Sequence, residues 1–197
     1  MARSKASESY RLSRVEKLIE TKTEEIRSAL SRLGRKMKDG DDSELLHWVI
    51  PQALACSQRP LRYHPLYGVS GANIPAEAGP LVKDWATFIQ CLGIKSIISL
   101  MHDRDLGYYA KLDLGAPTLV EFYKLQGFEV AHLPWEDPLH KRTPKQEVRQ
   151  RLLLIRRKAL DAYNRLTKPV LIQCSAGIDR TAPVAAYIFA NRISCTY

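Results

Sequence analysis

The residues best suited to chemistry lie between Pro169 and Ala190. Five apolar or neutral residues, PVLIQ, precede Cys174; Ser175, Ala176, Gly177, Ile178 and Asp179 follow; Arg180 and Thr181 then open the run APVAAYIFA. This pattern predicts a buried strand, a short turn and a helix beginning at Arg180 or Thr181, with Pro183 tolerated in its first turn. A loop wrapped around a helix N-terminus turns successive backbone N–H groups inward and so holds an anion. Arg180 adds a planar fork that matches two phosphate oxygens. Positive potential of this kind favours a thiolate over a thiol. Gly177 supplies the backbone freedom for a tight turn. A thiolate beneath a bound phosphate is the arrangement that nucleophilic phosphoryl transfer requires.

The run Cys174-Ser175-Ala176-Gly177-Ile178-Asp179-Arg180-Thr181 resembles the signature loop of the cysteine-based protein tyrosine phosphatase superfamily, and most closely its dual-specificity branch. The resemblance covers about residues 45–193 and includes the order strand, loop, helix. It implies that Cys174 attacks phosphorus and forms a cysteinyl-phosphate. The N–H groups of Ser175 to Arg180 and the Arg180 guanidinium would hold the equatorial oxygens through the transition state. Thr181 matches the hydroxyl residue that helps the sulfur leave in the second step. Neither a metal nor a cofactor is implied. Two features depart from the family pattern. Gln173 stands where the family has His, and 17 residues follow Arg180 where the family adds further helices. The expectation is that the N-terminal helix covers the surface those helices would cover.

A departing alkoxide needs a proton donor. In the family this is an Asp on a loop some 30–40 residues before the cysteine. Asp137, in Trp135-Glu136-Asp137-Pro138, lies 37 residues before Cys174 and follows a predicted strand. It is the favoured acid, first protonating the leaving group and then activating water. Glu136 is a weaker rival. Asp179 is a stronger one, because an Asp directly before the loop arginine resembles the myotubularin type of lipid phosphatase.

The elements that must position these residues are legible from periodicity. Residues 7–38 read as one helix, with Leu12, Val15, Ile19, Ile26, Leu30, Leu33 and Met37 on a stripe that has a gap near Lys22. Asp39-Gly40-Asp41-Asp42 reads as a linker, giving an N-terminal basic helix and linker over 1–40 and a catalytic domain over 41–197. The stripe is expected to pack on the main domain; self-association or docking on an anionic surface are the alternatives. Strands are predicted at 46–56 (one or two, interrupted at Pro51), 95–100, 128–133 and 169–173. Helices are predicted at 76–92, 117–125, 144–166 and 182–193. Alternating strands and helices give an α/β fold, a mostly parallel central sheet flanked by helices, with ligands at the carboxyl ends of the strands.

The segment 101–109 (MHDRDLGYY) reads as a solvated loop bordering the pocket. Within it His102, Asp103 and Arg104 are candidates to orient the catalytic loop or contact substrate, and Tyr108 and Tyr109 to set the depth of the pocket. His140, Lys141 and Arg142 are candidates for a second anionic group, and Trp135 for an anchor of the acid loop.

The chain of 197 residues is 45% hydrophobic and 26% charged, enough apolar content for a core. No apolar run reaches the 18–20 residues of a membrane span, and no signal-peptide pattern opens the chain. Cys56, Cys91, Cys174 and Cys195 form no CxxC pair, which disfavours structural zinc and suggests reduced thiols in the cytoplasm. Net charge is uneven: residues 1–38 carry 11 Lys/Arg against 5 Asp/Glu, 39–140 carry 7 against 13, and 141–168 carry 10 against 2. The basic blocks suit phosphate-rich partners.

The expected function is a metal-independent phosphatase acting on phosphotyrosine, phosphoserine or phosphothreonine in proteins. The alternatives keep the chemistry on phosphoinositides or another polyanion such as RNA 5′-phosphates, or reduce it to phosphate binding by a pseudophosphatase. A sulfurtransferase of the rhodanese type is a more distant one.

Overall fold

The computed structural model describes residues 2–68, 73–137 and 144–194, with side chains described from residue 14 to residue 193 within those ranges. Within them the order is α1 (Ala2–Lys38), β1 (His47–Ile50), β2 (Leu54–Gln58), a 3-10 turn (Ala76–Ala78), α2 (Gly79–Cys91), β3 (Ser96–Ser99), α3 (Asp103–Gly107), α4 (Leu119–Leu125), β4 (Glu129–His132), α5 (Lys145–Arg165), β5 (Val170–Cys174) and α6 (Thr181–Ser194).

The strands form one mixed sheet in the order β1-β2-β5-β3-β4. β2, β5, β3 and β4 run parallel, and β1 pairs antiparallel with β2 at the edge. The run 46–56 thus resolves into a hairpin. Pro51 ends β1 and Gln52 turns the chain at φ 55°. Every residue of β2, β3 and β5 is buried, as expected of interior parallel strands covered on both faces.

Side-chain alternation sorts the core into two layers. Leu54, Cys56, Ile98, Val170, Ile172 and Cys174 face α1, α5 and α6. Ala55, Ile97 and Leu171 face α2 and α4 and join Val82, Trp85, Ile89, Phe122 and Tyr123.

The stripe of α1 packs in the first layer: Ile26 and Leu30 are fully buried, with Ile19, Leu33 and Met37 nearly so. Its gap near Lys22 is filled by other means. Thr23 is buried and its hydroxyl donates back to the Ile19 carbonyl at 2.7 Å, while the Lys22 ammonium lies 4.5 Å over the Phe189 ring of α6. The helix therefore serves as a structural layer over α6, where burial of each large apolar side chain contributes about 1.5–3 kcal/mol.

The segment read as a loop at 101–109 contains α3. It is held by a capping box, in which the His102 ring accepts from the Arg104 amide and the Asp105 carboxylate accepts from the His102 amide at 3.1 Å. A five-residue helix is too short to show a period, so only this spacing of three marks it in the sequence.

Candidate active site

β5 is apolar enough to be the central strand of a buried sheet, and Cys174 is its last residue. The strand period places Cys174 on the α6 side, 2% exposed. The chain then reverses within six residues into α6. Gly177 makes the reversal at φ 79°, and its amide donates to Cys174 Sγ at 3.2 Å. A Cβ here would sit 2.9 Å from the Ser57 carbonyl oxygen and 3.1 Å from the Gln58 nitrogen. Both the dihedral and the neighbouring β2 backbone require glycine.

Among the described residues, the amides of Ser175, Ala176, Ile178, Asp179 and Arg180 donate to no acceptor in the protein. Unpartnered N–H groups are rare in folded backbone. Here they follow one another along a loop that ends at a helix N-terminus, with a cysteine at its start. Such a loop is an anion cradle.

Arg180 closes the cradle and is fixed from one side only. Its Nη1 donates to Asp105 Oδ2 at 2.6 Å, to the Trp135 carbonyl at 2.9 Å and to the Leu100 carbonyl at 3.3 Å. Nε and Nη2 make no bond to the protein among the described residues, so the other edge of the fork stays available. Burial works against the arginine's charge, but Cys174, Asp105 and Asp137 outweigh it and hold the proton more firmly than in a free guanidinium. Burial likewise pushes the Asp105 carboxyl up; the Arg180 hydrogen bond and charge, the His102 amide and the Arg59 charge outweigh this and leave it below its ordinary value.

Asp137 belongs to the same neighbourhood. Trp135 is 5% exposed and packs in the core, and its carbonyl holds Arg180. Two residues on, Asp137 is half-buried, and its charge acts on both Arg180 and Asp179. Burial raises Asp179; Arg27 and Arg180 draw it down and Asp137 pushes it up, with a net rise. Arg27, on α1, places Nη2 3.9 Å from Asp179 Oδ1. Thr181 is fully buried with its hydroxyl unpartnered among the described residues.

The loop is braced from behind by residues that sequence reasoning did not single out. Arg59 is 1% exposed; its backbone amide donates to the Ser175 carbonyl at 3.0 Å, and its Nε donates to Ser175 Oγ at 3.4 Å. Its guanidinium lies 4.8 and 5.5 Å from the ring centroids of Tyr108 and Tyr109 and donates to the Tyr109 hydroxyl at 3.1 Å. The tyrosines thus contact a bracing arginine. Asp105 makes the contact with Arg180 that the sequence reading sought among His102, Asp103 and Arg104; its only prior signal was the capping-box spacing from His102. Gln173 points to the opposite face of β5 and donates to the Tyr123 hydroxyl at 2.9 Å, with its own Oε1 buried and unpartnered. Burial, with the neighbouring Cys174, pushes the Cys56 thiol far up, while Cys91 is exposed. Pro138, His140, Lys141, Arg142 and Cys195 lie outside the described residues.

Among the described residues, no cluster of three His, Cys, Asp or Glu side chains is disposed to hold a metal ion, and no helix is long and apolar enough to cross a membrane. Compared with known proteins, the chain matches no family model and no curated relative.

Proposed function

We propose that the protein is a phosphatase of the protein tyrosine phosphatase type, with the dual-specificity architecture, acting on phosphomonoesters of proteins through a cysteinyl-phosphate. The observation that carries this reading is the row of five unpartnered amides following Cys174, closed by the half-tethered fork of Arg180. Five unpartnered amides, with the untethered edge of the Arg180 guanidinium, match the equatorial oxygens of a phosphoryl group.

In the first step the Cys174 thiolate attacks phosphorus in line with the ester oxygen. The S–P bond forms as the P–O bond breaks, and Asp137 transfers its proton to the departing oxygen. The cradle and the free edge of Arg180 hold the three remaining oxygens, whose charge peaks in the transition state. In the second step Asp137, now a carboxylate, takes a proton from water as that water attacks phosphorus. The S–P bond breaks, the sulfur leaves as a thiolate steadied by the Thr181 hydroxyl, and inorganic phosphate is released. Asp105, Trp135 and Arg59 take no part in bond making; they hold Arg180 and Ser175 in place. Gln173 is turned toward Tyr123, away from the reacting face.

The test is turnover of p-nitrophenyl phosphate in EDTA, with inhibition by vanadate and loss of at least 10³-fold in Cys174→Ser. Acid-quenched enzyme should carry phosphorus on Cys174. Absence of turnover across pH 5–8 with vanadate still bound would leave a phosphate-binding protein; absence of both would overturn the reading.

A further inference from the structure

Beside the catalytic loop lies a cleft of about 650 Å³. Its walls come from the end of α1 (Met37), the following linker (Leu45), the segment after β2 (Leu61, Leu66) and α2 (Trp85, Phe88). We propose that this cleft is a subsite for a neutral apolar group, aryl or branched aliphatic, on the alcohol side of the phosphoester. The inference rests on the phosphatase reading and names the kind of substrate it selects.

Three observations carry it. First, the cleft is lined by the β2-end residues that flank the catalytic loop. Gln58, which lines it, is paired in register with Cys174, and Arg59, which also lines it, holds the Ser175 carbonyl. Tyr63 borders the cleft and packs its ring edge over Gly34 of α1.

Second, its surface is apolar where folded proteins seldom leave it so. Leu66 is 74% exposed, and Leu81 and Phe88 more than a third. All three border this one cleft. A concave apolar surface with a few polar groups at its rim is the usual form of a small-ligand site.

Third, the charges at the cleft offset one another, which suits a neutral group. Asp42 and Asp84 border it together with Arg59 and Arg62. Arg62 is held by the Gly68 carbonyl at 3.2 Å and by the face of Tyr63 at 4.9 Å.

The experiment compares 4-methylphenyl and 4-butylphenyl phosphate as substrates, and the matching arylphosphonates as ligands by titration calorimetry. Each methylene that enters apolar surface is worth about fourfold. The butyl compound should therefore gain at least tenfold in kcat/KM and the butyl phosphonate at least tenfold in affinity. Phe88→Asp and Leu66→Asp, on the exposed lip, should erase both gains while vanadate affinity, which does not involve the cleft, is retained. Methyl and butyl compounds treated alike would overturn the subsite while the phosphatase reading stands. Chain-length-dependent phosphonate binding without turnover would keep the subsite and refute the phosphatase. A gain that survives both substitutions would also overturn the proposal.

Discussion

Arg180 Nη1 and Asp105 Oδ2 lie 2.6 Å apart, joining two positions 75 residues distant in sequence, with the arginine side chain 2% and the carboxylate 12% exposed. The pair fixes one edge of the guanidinium and leaves the other edge free to meet a ligand. It ties the loop after β5 to α3, the short helix after β3, so the site is shaped by the sheet order rather than by either segment alone.

Asp105→Asn should therefore cost both stability and activity. Removing one member of a buried pair leaves an uncompensated charge, a loss of about 3–5 kcal/mol. The Asp105 carboxyl sits below its ordinary value in the folded protein. Its contribution is thus complete above the unfolded value, about 3.9, and fades as pH falls through the folded one. Denaturant unfolding should show the deficit at pH 7 and a shrinking deficit below about pH 4. A variant as stable and as active as the parent at pH 7 would refute the role.

Asp137 and Asp179 are separated by kinetics. Asp137→Asn should steepen the dependence of kcat/KM on leaving-group acidity across a series of aryl phosphates. Asp179→Asn should not. Asp179 is raised in the folded state, burial first and Asp137 among the other causes, so its ionisation opposes folding once pH exceeds the unfolded value. Asp179→Asn should raise the melting temperature at pH 7, with the gain disappearing below about pH 4. Arg27→Ala removes a charge that draws Asp179 down and should lower the melting temperature at pH 7. The reverse assignment of the two carboxylates would show as a leaving-group effect in Asp179→Asn alone.

Gly177→Ala forces an L side chain into the left-handed region and against the β2 backbone at 2.9 Å. The loss should exceed about 1 kcal/mol, and the loop should lose vanadate affinity before the protein unfolds. Calorimetric binding of vanadate together with a thermal melt distinguishes loop distortion from global loss.

Leu30→Ala opens a fully buried position where α1 meets α6. A destabilisation of about 2–5 kcal/mol is expected. An unchanged denaturation midpoint would mean that α1 is dispensable to the core.

Much of this was written in local sequence. The run PVLIQCSAGIDR determined a strand, a loop with a positive-φ glycine and a helix start, because each follows from neighbouring residues: apolar content, Gly177, and the polar break before an apolar helix. The stripe of α1 determined that the helix would bury one face, since a 3.6-residue period has no other use for Ile26, Leu30 and Leu33. The sequence left open what that face would meet, and only the tertiary structure placed it over α6. Arg59 and Asp105 were not legible as parts of the site. One reads as a charged residue after a strand and the other as one aspartate among several in MHDRDLGYY. Their roles depend on β2 and β3 flanking β5 in the sheet, and strand order is a non-local property that no window of residues encodes. The cleft follows for the same reason. Met37, Leu66 and Phe88 belong to three segments that share no pattern, and only the packing of α1 and α2 around the turn after β2 brings them to one surface.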